Sequence, residues 1–273
     1  MSIQYKKLFD LTDKVAIVTG SSRGIGASIA EAFAEFGASV VLSSRTKESV
    51  GKIAANIKKN GFEAEAVECH VGEEEQLKNL VETTIKAYGK IDILVNNAGG
   101  QFPAPAHIMA EKGWAAVINN NLNGTFYMCQ KMANRFFIPQ KNGNIINITA
   151  NVLRGFPGMA HTGAARAGVE NLTKTLGQEW ANFGIRVNAV APGTIATTGL
   201  DQYPPLIKET FKEMKQKNLM KRFGTANDVV NAVLFLSSPL ASYISGTTLA
   251  VDGLEQLAGD RMEIYNALMK MMK

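Results

Sequence analysis

Residues 15–19 (VAIVT) form an apolar run with no alternation, a glycine-rich turn follows, and the segment Ile25–Phe36 then carries its apolar residues at helical spacing. Ser39–Leu42 is apolar again. An unbroken apolar run suits a strand buried on both faces, as parallel sheets require, so the pattern reads strand, turn, helix, strand. The alternation continues down the chain. Ala64–Cys69, Ile91–Val95, Asn144–Ile148, Arg186–Val190 and Thr248–Val251 are expected strands, and helical spacing recurs near 73–88, 109–137, 162–182, 205–217 and 226–237. This repetition predicts an α/β fold, a single doubly wound parallel sheet with helices on both faces and right-handed crossovers. With no linker, repeat or low-complexity tract, residues 1–273 are expected to form one domain.

Two segments break the spacing. The connection at about 190–222 is long, contains Tyr203-Pro204-Pro205, and follows the carboxyl end of a strand, a common place for a lid. The tail, 254–273, has Met262, Tyr265, Leu268, Met269 and Met272 near helical spacing. It packs on its own domain or on a second subunit, or else it caps a binding site.

Composition narrows the class. Hydrophobic residues make up 46% of the chain and charged residues 19%, as in a soluble globular protein. No stretch is long and apolar enough to span a membrane, and the polar start and the MKMMK end carry no targeting signal, so a cytoplasmic protein is expected. Cys69 and Cys129 form neither a metal spacing nor a disulfide framework. The net charge of +5 suits an anionic small molecule or nucleic acid. Its densest run, 208–222, also holds Glu209 and Glu213, which reads as a solvated helix face and leaves nucleic acid without a footprint.

The turn after the first strand is Gly20-Ser21-Ser22-Arg23-Gly24-Ile25-Gly26. Glycines there let the backbone turn sharply and approach a pyrophosphate at the helix N-terminus. The second strand ends Ser43-Ser44-Arg45, without the carboxylate that holds the ribose 2′-hydroxyl of NADH. Arg45 and Arg23 instead suit a 2′-phosphate, pointing to NADPH over NADH, unless both face solvent.

The spacing of Gly20, Gly24 and Gly26, with Asn96-Asn97-Ala98-Gly99, Asn121, Pro192-Gly193-Thr194-Ile195 and Ser245-Gly246 before Val251-Asp252-Gly253, resembles the short-chain dehydrogenase/reductase family over roughly residues 10–253. The resemblance implies a Rossmann fold and a cofactor site formed by Gly20, Ser22, Arg23, Gly24, Ile25, Gly26, Arg45, His70, Val71, Asn97, Ala98, Gly99, Arg166, Pro192, Gly193 and Ile195. At His70 the family usually has an aspartate that accepts from the adenine amino group. A neutral imidazole nitrogen is expected to take over as acceptor.

The family's catalytic Tyr-x-x-x-Lys falls on Thr162 and Arg166, and its serine falls near Thr149-Ala150. Only Asn121 matches. An aliphatic hydroxyl is too weak an acid to protonate a forming alkoxide. Reducing an enoyl thioester asks less, because hydrogen-bond donors can hold the enolate oxygen while solvent supplies the α-proton. Thr149, His161 and Thr162 are the expected donors, with Asn121 and Arg166 completing the catalytic set. His161 is otherwise a packed histidine at a helix start.

Gly-Gly-Gln-Phe (99–102), Gly-Phe-Pro (155–157) and His-Thr-Gly-Ala-Ala-Arg-Ala-Gly-Val (161–169) look like the peroxisomal trans-2-enoyl-CoA reductase branch. That branch has a tyrosine where this chain has Glu170. The resemblance implies an acyl-CoA substrate, with Gln101, Phe102, Arg154 and Tyr203 as its contacts. Arg154 otherwise faces solvent, and Tyr203 supplies a phenol or packs in the lid. Two other functions stay open: a silent subunit paired with an active homologue, and a ketone or alcohol oxidoreductase using Tyr203. Small residues at 163–168 imply a dimer or tetramer, and Tyr127 is expected in the core.

Overall fold

The computed structural model describes residues 8–202 and 205–257. Seven strands form one parallel sheet: β1 (Val15–Thr19), β2 (Ser39–Ser44), β3 (Ala64–Glu68), β4 (Ile93–Asn96), β5 (Gly143–Ile148), β6 (Ile185–Pro192) and β7 (Thr248–Val251). Their order is β3-β2-β1-β4-β5-β6-β7, so the chain reverses direction across the sheet between β1 and β4. In open α/β sheets a ligand crevice lies at that reversal, beyond the carboxyl ends of the strands.

Successive side chains of a strand point to opposite faces, and here both faces are covered. Ala16 and Val18 of β1 join one cluster with Val40 and Leu42 of β2. Ile17 and Val41 join the other. The first cluster takes in Ile29 and Phe33 of α1 (Gly24–Glu35) and Val229 and Val233 of α9 (Ala226–Ser237). The second takes in Leu77 and Leu80 of α3 (Glu74–Tyr88) and Met128 of α5 (Gly124–Met132). Phe33 is fully buried, and truncating such a residue to alanine typically costs about 3–5 kcal/mol.

The remaining helices are α2 (Lys47–Lys59), α4 (Glu111–Ile118), α6 (Ile138–Gln140), α7 (Ala160–Glu179) and α8 (Pro205–Lys217). Helix α2 is absent from the sequence reading. Its buried stripe, Val50, Ala54 and Ile57, is narrow among charged residues, and it packs chiefly on its neighbouring strands. The expected helix at 109–137 is interrupted twice by π-turns, Asn119–Asn123 and Ala133–Phe137. Tyr127 is another correction: it is 40% exposed and tilts against Phe126, because α5 buries its other face.

A buried polar ladder anchors α7 to the sheet. Asn96 Nδ2 donates to Asn147 Oδ1 (2.9 Å), Asn147 Nδ2 to Thr173 Oγ1 (2.9 Å), and Thr173 Oγ1 to the Val169 carbonyl (2.8 Å). Every member is paired, so the ladder fixes the height of α7 over β5. Among the described residues, no helix is long and apolar enough to cross a membrane. The tail from 258 onward lies outside the described residues.

Candidate active site

The glycine turn leaves β1 at Thr19. The Thr19 hydroxyl accepts from the amides of Asn97 and Ala98 (both 3.0 Å) and donates to the Val95 carbonyl (3.3 Å). Asn97 Nδ2 answers by donating to the Thr19 and Gly20 carbonyls (both 3.0 Å). Two loops from adjacent strands therefore hold each other. Gly20, at φ +64°, has no room for a side chain, since a Cβ would lie 2.7 Å from Ala98 Cα. A Cβ on Gly26 would run into Asn97 Nδ2 and the Gly20 carbonyl. Ser21, which the sequence reading passed over, ties the turn to β2 by donating to the Val18 carbonyl (2.9 Å) and accepting from Ser43 N (2.9 Å).

Helix α1 opens at Gly24 with no side-chain cap and no acidic residue in its first turn. Its free N–H groups and positive dipole end suit an anion. Ser22 and Ile25 are half-buried around this start, and Thr197 of the long connection lies against Gly24. Arg23 and Arg45 are exposed at the tips of the turn and of β2, and neither makes an ion pair among the described residues.

At the tip of β3 the structure corrects the sequence. His70 Nδ1 accepts from the Gly72 amide (3.1 Å), so the expected acceptor nitrogen is already taken. Val71 is buried and wedges against Gly124 of α5, where a Cβ would lie 2.7 Å from Val71 Cγ2.

The first π-turn carries Asn121 inward. Asn121 Oδ1 accepts from Gly100 N (2.9 Å) and Nδ2 donates to the Gly100 carbonyl (3.0 Å). Arg166, 9% exposed, donates from Nη1 to the Ile148 carbonyl (2.9 Å), and its other arm fills the space beside Gly99 and Asn121. It has no carboxylate partner among the described residues, and burial pulls its pKa down to about 10. It therefore stays charged at neutral pH, a buried cation awaiting an anion or a ring of hydroxyls.

Thr162 and His161, at the start of α7, are fully buried. The Thr162 amide donates to His161 Nδ1 (2.7 Å), and the Thr162 hydroxyl lies 3.1 Å from the same atom. The neutral ring then carries its proton on Nε2, which is buried and has no partner among the described residues. Burial lowers the His161 pKa, opposed in part by the Met159 carbonyl. The ring stands edge-on to Phe102, centroids 4.5 Å apart. Thr149 is a correction. Its hydroxyl donates to the Val190 carbonyl (3.2 Å) and meets the Glu170 carboxyl, so its single proton is engaged away from His161.

Phe102 is 39% exposed, and the Ala104–Met159 bridge holds its segment against the loop before α7. Gln101 and Arg154 are exposed. Tyr203 lies outside the described residues. Pro192 closes β6, Gly193 packs against Asp252, and Ile195 is buried and bridged to Gly224. Glu255 accepts from the Thr194 amide (2.9 Å) and hydroxyl (3.3 Å), a contact that no pattern in the sequence signals. The glycine cradle, the uncapped helix and the unpaired Arg166 together fit a dinucleotide. Cys69 and Cys129 are buried free thiols with pKa values raised to about 12, and the described residues hold no metal-binding cluster.

Residues 20–253 match a family model described as Enoyl-(Acyl carrier protein) reductase. A 3-oxoacyl-[acyl-carrier-protein] reductase of Synechocystis is 40% identical over 246 residues, covering 89% of this chain and 97% of that protein. The FabG protein of the same name from Thermotoga maritima is 37% identical over 244 residues, covering 89% and 98%. Among solved structures, the citronellol catabolism dehydrogenase AtuB of Pseudomonas aeruginosa is 38% identical with a TM-score of 0.80, covering 90% and 95%.

Proposed function

The chain belongs to the short-chain dehydrogenase/reductase family of oxidoreductases, and from that premise we propose that it is an NADPH-dependent reductase of α,β-unsaturated acyl thioesters, acyl-CoA above all. The observation that carries this reading is the donor set at the start of α7: a buried imidazole Nε2–H with no partner, an aliphatic hydroxyl at 162 and a fixed cation at 166. These groups can hold a negative oxygen, but none is an acid suited to protonating an alkoxide.

The nicotinamide ring supplies a hydride when bound. The work left to the chain is to bind and to polarise. The glycine turn and the start of α1 take the pyrophosphate, Arg23 and Arg45 the 2′-phosphate, and Arg166 the ribose hydroxyls. Asn97, Ala98 and Gly99 floor the crevice, while Pro192, Gly193 and Ile195 wall it. In the substrate, the alkene π bond breaks, a C–H bond forms at the β-carbon, and the charge settles on the thioester oxygen. His161 Nε2–H and Thr162, fully buried behind Phe102 in the free protein, take that oxygen once Phe102 turns aside, and solvent protonates the α-carbon. Gln101, Phe102 and Arg154 line the acyl entrance, and the described part of the connection at about 190–222 serves as its lid within the same domain.

The curated relatives are named for reduction of a 3-oxoacyl group, a ketone. The test therefore has two arms. Purified protein with NADPH is given crotonyl-CoA and longer enoyl-CoAs, or acetoacetyl-CoA. Faster NADPH oxidation with the enoyl series is expected. Turnover of the ketone alone overturns the substrate reading, and no turnover of either leaves a silent subunit. The α7 face exposing Ala164 and Ala167 is the contact expected for self-association, which light scattering checks.

A further inference from the structure

Resting on the dinucleotide reading above, we propose that His70 reads the purine ring as a hydrogen-bond donor, so that this chain accepts a 6-oxo purine dinucleotide nearly as well as the adenine form. The path of the ligand places the base here. The pyrophosphate belongs at the start of α1, and the ribose beside it belongs at the tip of β2. The sheet order puts β3 next outward from β2, and the Cys69 amide donates to the Ser44 carbonyl (2.8 Å), drawing the β3 tip alongside. A base extending from that ribose meets His70.

Three observations fix the position of His70 and the polarity of its ring. Its backbone N–H donates to Gln76 Oε1 (2.7 Å), which pins the residue. The Gly72 amide donates to its Nδ1 (3.1 Å), which requires that nitrogen to be unprotonated. A Cβ on Gly72 would lie 3.1 Å from His70 Cε1 and 2.7 Å from Asn119 Nδ2, so the ring is packed over Gly72 and cannot turn freely. A neutral imidazole that accepts at Nδ1 carries its hydrogen at Nε2. The half-buried ring therefore presents a donor to the base. It cannot take the adenine amino group, which is itself a donor. It bonds instead to an acceptor on the ring, and a 6-oxo purine offers one at the carbonyl.

A carboxylate at position 70 would have the opposite preference. It accepts from the adenine amino group and faces two sets of lone pairs when that group becomes a carbonyl. The experiment compares dissociation constants for NADPH and its deamino (hypoxanthine) analogue by calorimetry, at mildly alkaline pH, for the wild type and His70→Asp. The wild type is expected to bind the two within about threefold. His70→Asp should shift the ratio toward NADPH by about tenfold, the size expected when a buried polar group loses its partner. The wild-type ratio needs no variant, so it can reject the proposal even if His70→Asp fails to fold, and His70→Asn then serves as the second variant, expected to bind both forms because its amide both donates and accepts. A wild-type preference for NADPH above about threefold overturns the proposal, as does an unchanged ratio in a folded His70→Asp. Failure of both dinucleotides to bind overturns the cofactor reading itself and is distinct from either.

Discussion

The guanidinium of Arg166 occupies the space in which a side chain at Gly99 would stand. One residue is a loop position after β4 and the other lies on α7, yet the place of the arginine depends on the glycine. The arginine can swing under the loop only because position 99 has no Cβ. Burial leaves it with a carbonyl partner and no counter-charge among the described residues, and its pKa falls to about 10. A shift of that size corresponds to about 3 kcal/mol lost to desolvation, offset by about 1 kcal/mol from the bond to Ile148.

Arg166→Met should therefore stabilise the free protein. A net gain of about 2 kcal/mol would raise Tm by roughly 4–8 °C in a chain of this size. The same variant should lose at least about tenfold in dinucleotide affinity. Thermal melts with and without NADPH measure both. A lower melting temperature in the ligand-free variant would show that the cation is structural rather than held for a ligand.

On the proposed reading, Arg23 and Arg45 carry the choice of cofactor. Their exposure lets salt screen them, so their effect belongs to binding and not to stability. Arg45→Ala should weaken NADPH by about 10–100-fold at low salt and leave NADH within about threefold, since charge-assisted bonds contribute about 1.5–3 kcal/mol. Equal losses for both dinucleotides would place the 2′-phosphate elsewhere.

Strand positions were legible because a parallel sheet writes itself as unbroken apolar runs. Val15–Thr19 and Thr248–Val251 match their expected limits residue for residue. The glycine turn was legible for a steric reason, as Gly20 and Gly26 admit no side chain. Hydrogen-bond direction was not legible. Residue types place a histidine at 70 and a threonine at 149 but not the partners already claimed by Nδ1 and Oγ1. The π-turn at Asn119–Asn123 was hidden too, because it adds one residue to a turn and no residue type in that segment marks the addition. Glu255 and Thr194 are 61 residues apart, and no local pattern pairs them.

His161 makes stability depend on pH in a definite direction. Its folded pKa is depressed by burial, so the folded state favours the neutral ring. The contribution is complete above the unfolded value of about 6.5 and is lost as pH falls through the lower folded value. Melting temperature should fall over that window, and His161→Gln should flatten the part due to this residue. Glu170, whose carboxyl is raised chiefly by burial, acts in the opposite sense and remains in both proteins. A variant with an unaltered profile would mean that the imidazole protonates freely, and the neutral donor at the site would be lost with it.

Glu255 tests whether the wall of the crevice is held from the far end of the chain. Its carboxylate takes both the amide and the hydroxyl of Thr194, beside Gly193 and Ile195. Glu255→Ala leaves that amide without its partner, at a cost of about 1–3 kcal/mol, and frees the segment that, on the proposed reading, holds the nicotinamide end of the ligand. Affinity for NADPH should drop about 5–50-fold, whereas affinity for 2′,5′-ADP, which lacks the nicotinamide half, should hold within about twofold. Glu255→Gln keeps one acceptor and should recover much of the loss. If 2′,5′-ADP weakened as much as NADPH, Glu255 would be supporting the sheet as a whole, and the segment at 192–195 would not be a separately positioned wall.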